Sequence, residues 1–143
     1  MPAANSTIWD FEGLVTTTYM YLVSRYNDLP IYRDEPPADW DGLTGCVIIK
    51  DGGGNQLTAD QLLTGRVTLD IRHPDPAIAE TSARTVSTLI REWDYLPDPV
   101  WVTSAGIPTY DPIDDPASAA WTFTAALTVK STTTRATAPT QKE

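Results

Sequence analysis

Four features of this chain are of residue types that could do chemistry. They are a single histidine, a single cysteine, two acidic loop clusters and a triple glycine. His73 has no second histidine and no serine–histidine pattern to pair with, so a hydrolytic triad has no support. Beside Pro74 at a strand end, it reads as a hydrogen-bonding loop residue. Cys46 lies in the apolar run CVII and reads as a small buried hydrophobe in a strand. As the only cysteine, it can form no disulfide within the chain. Asp34, Glu35, Asp39 and Asp41 share one loop, and Asp111, Asp114 and Asp115 another. Carboxylates grouped in this way are the ligands a hard cation takes, which opens the reading of a small acidic metal-dependent enzyme. The spacing of a calcium-binding loop is absent from both, so solvated carboxylates and no bound metal are expected. Gly52-Gly53-Gly54 follows a strand, as a phosphate-binding loop would. Neither Gly-Lys-Ser/Thr nor GxGxxG spacing accompanies it, so no nucleotide or other cofactor is expected. The glycines suit a flexible hairpin tip and the close approach of another backbone, an interface property.

The elements that must carry these residues follow from periodicity. Ile8, Phe11, Leu14, Val15, Tyr19, Leu22 and Tyr26 trace one helical face, predicting a helix over 8–26. A short extended stretch follows around Ile31. The segment 34–42 is a loop, because Pro36 and Pro37 forbid a ladder. Residues 46–50 form a continuous apolar run, hence a buried strand, and 51–63 a long hairpin connection. In the strand 66–72, Val67, Leu69 and Ile71 alternate with Arg66, Thr68, Asp70 and Arg72. Asp75 then caps a helix over 76–93 with Pro76 at its first position, and Ala79, Ala83, Val86, Ile90 and Trp93 form its apolar stripe. After the stop LPDP come a strand over 100–104, a hairpin loop over 105–118 and the strand WTFTAALTV. That last strand puts Trp121, Phe123, Ala125, Leu127 and Val129 on one face and Thr122, Thr124 and Thr128 on the other, with Lys130 following on that side. Trp93, Trp101 and Trp121 read as core. Trp40, flanked by Asp39 and Asp41, reads as a candidate interface anchor or as folded back on its own domain.

The order α-β-β-β-α-β-β predicts one α+β domain: a mainly antiparallel sheet of four to five strands with two helices packed on one face. The chain of 143 residues, 41% hydrophobic, is long enough for a real core. No apolar run approaches the ~20 residues that span a bilayer, and the N-terminus does not have the form of a signal peptide. The net charge of −9 argues against tight binding to nucleic-acid backbones, although an acidic wall would let DNA slide past.

Taken in order, LPIYRDEPPADW, CVIIKDGGG, RVTLDIRHPDPAIAETSARTVSTLIREW and AAWTFTAALTVKS resemble the tail terminator, or tail completion, proteins of long-tailed bacteriophages, especially those infecting actinobacteria. The resemblance covers roughly residues 11 to 130 and rests on the order and spacing of all four segments. It implies a domain over 1–130, with a polar C-terminal tail over 131–143 that departs from the family, as does the loop 105–118. It also implies a structural virion protein and not an enzyme. Such a protein is made in the host cytoplasm and forms a homo-oligomeric, hexameric ring at the head-proximal end of the tail tube. There it stops tube polymerisation and joins the tail to the head-completion (connector) protein. DNA passes through without sequence-specific binding. Another head–tail joining protein or a tube-like tail protein is the nearest alternative. Within the ring, Trp40, Gly52, Gly53, Gly54, Asn55 and Arg135 are the candidate contacts to other copies, to the major tail tube protein or to other partners. Asp34, Glu35, Asp39, Asp41, Asp111, Asp114 and Asp115 are the candidate acids facing the channel. The segments 51–63 and 131–143, poor in apolar residues, are expected to be ordered by neighbours and not by their own domain.

Overall fold

The computed structural model describes residues 7–8, 13–57, 62–98, 100–111, 119–130 and 136–137, with backbone alone at 7–8, 111, 119 and 136–137. The chain opens with the two-residue strand β1, Thr7–Ile8, and the helix α1, Leu14–Arg25. The helix is shorter than the 8–26 periodicity suggests, because Ile8 pairs in a strand. The threonine run inside it is accommodated by Thr18, whose buried hydroxyl donates to the Leu14 carbonyl at 2.7 Å. Strands β2, Ile31–Arg33, β3, Cys46–Leu57, and β4, Leu62–His73, follow. Helix α2, Pro76–Trp93, starts where its sequence signals place it. The Asp75 carboxylate accepts from the Ala77 N–H at 2.9 Å, and Pro76 occupies the first turn. The remaining strands are β5, Val100–Ala105, β6, Thr109–Asp111, β7, Ala119–Lys130, and β8, Ala136–Thr137.

The fold is α+β. The main sheet runs β2-β3-β4-β7-β5, with β6 also pairing β7, farther along the same edge as β5. All pairs are antiparallel except β2–β3. The spine is the pairing of β4 with β7, unbroken from Leu62↔Lys130 to His73↔Ala119. Its register puts Val67, Leu69 and Ile71 beside Ala125, Phe123 and Trp121 on one face, where α1 and α2 cover them. Val67, Leu69 and Ile71 are fully buried, each contributing ~1.5–3 kcal/mol before ordering entropy is counted. Trp93 ties the helical layer together. It stacks on Tyr21 of α1 at 4.2 Å between ring centroids and donates its indole N–H to Asp98 at 3.1 Å.

Four expectations change. The hairpin connection 51–63 is largely strand. β3 continues to Leu57 opposite β4, interrupted by irregularities between Asp51 and Gly53 and between Gly53 and Gln56. Gly52–Gly54 therefore sit in a bulged strand and not at a free tip, and the described residues 51–57 are ordered by their own sheet. The loop 105–118 contains β6. Trp101 is not core: its register opposite Thr128 places it on the uncovered sheet face, 49% exposed. In the C-terminal segment, the described residues 136–137 pair with β1.

Candidate functional site

Two parallel neighbours cannot be joined by a tight turn, so the chain from β2 to β3 must cross over through residues 34–45. The crossover leaves β2 with Asp34 at φ 70°, its N–H donating to the Ile49 carbonyl at 2.8 Å. Asp34, Glu35, Asp39 and Asp41 are all exposed, and no Lys or Arg occurs between Asp34 and Lys50. Asp41 accepts the Leu43 N–H at 2.8 Å, a turn-stabilising role. Trp40 is half-buried, with its indole N–H enclosed and unpartnered among the described residues. Cys46 and Ile48 point to the sheet face opposite the helices yet are fully buried.

The rest of that face is partly open, with Arg66, Thr124 and Lys130 exposed and Asp70 and Ala120 buried. Along β4 and β7 it carries Thr64, Arg66, Thr68, Asp70 and Arg72 against Lys130, Thr128, Ala126, Thr124, Thr122 and Ala120. The hydroxyls of Thr68 and Thr124 meet across the strands at 3.2 Å. Asp70, largely buried, binds the Lys50 ammonium at 2.6 Å, with the Arg72 guanidinium 4.0 Å away. The Arg72 Nε is buried and unpartnered among the described residues. Arg66 and Lys130 are exposed and form no ion pair with a described residue. The face thus bears Lys50, Arg66, Arg72 and Lys130 against Asp70.

Within the triple glycine, Gly52 is close-packed against β4. A side chain at Gly52 would press within 2.9–3.0 Å of the Arg66 Cβ and backbone, and Gly53 and Gly54 adopt φ of 86° and 72°. The Asp51 carboxylate holds the bulge by accepting from the Gly53 N–H at 2.8 Å and from the Asn55 amide at 3.1 Å. Asn55 lies over Gly65, where any Cβ would collide with its amide oxygen. Arg135, Asp114 and Asp115 lie outside the described residues.

Nothing described converges as a reaction centre. His73 accepts the Asp75 N–H on Nδ1 at 3.0 Å, the loop-residue role its position suggested. Burial pushes the Cys46 thiol up to about 11, far from a nucleophile's range. Among the described residues no three His, Cys, Asp or Glu side chains group as a metal site.

No protein-family model matches the chain, and no curated protein is significantly similar to it.

The crossover acids follow β2 in one exposed segment, and Gly52–Asn55 lie in the β3 bulge. The sequence reading of candidate sites missed Arg66, Lys130 and Trp101. Their signal was present, because the period of two that marks the buried face of a strand also marks its opposite.

Proposed function

We propose that this chain is a tail terminator protein of a long-tailed bacteriophage. It forms a homo-oligomeric ring, hexameric by resemblance, at the head-proximal end of the tail tube. One side of the ring meets the major tail tube protein and the other the head-completion protein. DNA passes through the ring without sequence-specific contact. The ring ends tube growth by occupying the last position with a surface that admits no further tube subunit.

The observation that carries this reading is the one-sided domain. Two helices cover one sheet face, while the other, rich in threonine and cations, carries no described helix and is partly open. A polar open face suits a protein whose work is done by contact with other chains. The order and spacing of the four sequence segments supply the family.

The test is electron microscopy of particles produced without the gene. Overlong or headless tails are expected. Tails of normal length joined to full heads would contradict the assignment.

A further inference from the structure

We propose that the open sheet face and the acidic crossover are the two halves of one seam between copies of this chain. The crossover 34–41 of one copy docks on the Arg66, Lys130 and Trp101 patch of the next. This rests on the ring reading above and names the surfaces that build the ring.

Charge complementarity is the first support. Arg66 and Lys130 are exposed and unpaired among the described residues, in a chain of net charge −9. Asp34, Glu35 and Asp39 are exposed and unpaired among the described residues in the same way. Each set is the partner the other lacks, and opposed charges of this kind steer and register an association.

Geometry is the second. The crossover leaves from β2, at one edge of the sheet, whereas Lys130 lies on β7 and Trp101 on β5, at the other. At ~4.8 Å per strand, β2 lies about 10 Å from β4, which carries Arg66, about 14 Å from β7 and about 19 Å from β5, and no crossover acid pairs with Arg66 or Lys130 within the copy. Two different patches, one following the edge strand β2 and the other spanning β4, β7 and β5, make a heterologous contact, the kind that closes into a ring when repeated.

The third support is the pair of tryptophans. Trp101 stands 49% exposed on the receiving face, and Trp40 sits half-buried within the acidic crossover. Large aromatics with charged neighbours are the usual anchors of protein contacts. The proposal moves the crossover acids from the channel rim, where the sequence reading put them, to the seam between copies.

The experiment is a charge swap on the full chain, read by sedimentation velocity and native mass spectrometry. The two variants are Arg66→Glu/Lys130→Glu and Glu35→Lys/Asp39→Lys, with Arg66→Gln/Lys130→Gln as a milder companion and circular dichroism as the check on folding. Wild-type chain is expected to self-associate at low salt and to dissociate as salt rises from about 50 mM to about 500 mM. Each charge-reversed variant alone should associate at least about tenfold more weakly. Mixed in equal amounts they should associate again, because every seam in an alternating assembly is then complementary. Charge-reversed variants that assemble as wild type does would overturn the seam and leave the ring reading intact. So would a wild-type chain that stays monomeric at about 1 mM and low salt, since charges left unpaired in this way would then attract nothing. The number of copies per tail tests the ring independently. Duplex DNA bound by wild type but not by Arg66→Glu/Lys130→Glu, with self-association unchanged, would reassign the patch to a polyanion.

Discussion

Cys46 shows how one buried atom becomes a property of the whole chain. Burial is the main reason its thiol rises to about 11 from an ordinary 9.0, against the opposing pull of Arg72. The fold favours the neutral thiol, so the native state holds its proton to higher pH than the unfolded chain does. The associated stabilisation is complete below pH 9 and is lost as pH rises from 9 towards 11. A shift of this size corresponds to about 2–3 kcal/mol. Urea unfolding at a series of pH values should therefore show wild type losing stability more steeply above pH 9 than Cys46→Ala. Burial also raises the phenols of Tyr21 and Tyr26, but both proteins share them, so they cancel in the comparison. Parallel curves would mean that the thiol is not penalised by its site. Trp93 and Trp101 carry a related lesson. Both fall on element patterns, yet one is stacked in the core and the other stands in solvent. Helix phase turns Trp93 inward, and strand parity turns Trp101 outward.

Among the elements, α2 was the most legible, because its start is written in local chemistry. Asp75 accepts the Ala77 N–H, and Pro76 supplies a fixed φ where no N–H is needed. Asp75→Ala should lower stability by about 1 kcal/mol, whereas Asp75→Ser or Asp75→Asn should retain most of it. Thermal melts of the three variants give the answer, and equal melting temperatures would show the cap to be idle. The β3–β4 hairpin was less legible. GGG has low strand propensity, and pairing with β4 together with the Asp51 carboxylate holds its bulge in the hairpin. Hydrogen exchange on the free chain should show the amides of 51–57 that face β4 exchanging more slowly than those of the crossover 34–45. Equal exchange would mean that the hairpin is ordered only by neighbours. Gly52→Val should cost about 1–3 kcal/mol, because the added carbon meets the Arg66 backbone and not a movable side-chain end. A denaturation midpoint unchanged by this substitution would show that the bulge can open to accept it.

At the scale of the molecule, the defining property is asymmetry. One face of the sheet is covered by helices, and the other carries Lys50, Arg66, Arg72 and Lys130 among threonines and Asp70. Mass measurement of purified tails should find the chain in several copies, six if the resemblance extends to stoichiometry. A single copy per tail would remove the ring and the seam together.

The sequence by itself determined the fold class, both helices as elements and the buried side of the two central strands. These depend on periods of two and of about 3.6 residues and on a proline-led cap, all of them local signals. It also identified His73 and Cys46 as structural residues. Only the tertiary structure decided that β2 runs parallel to β3, that the glycines lie in a bulge and that β6 rides beside β5 on the edge of β7. Each of these depends on pairing between residues distant in the chain. The same holds for the candidate site. Arg66, Lys130 and Trp101 come from three different strands, and no spacing along the chain announces that their register places them on one face.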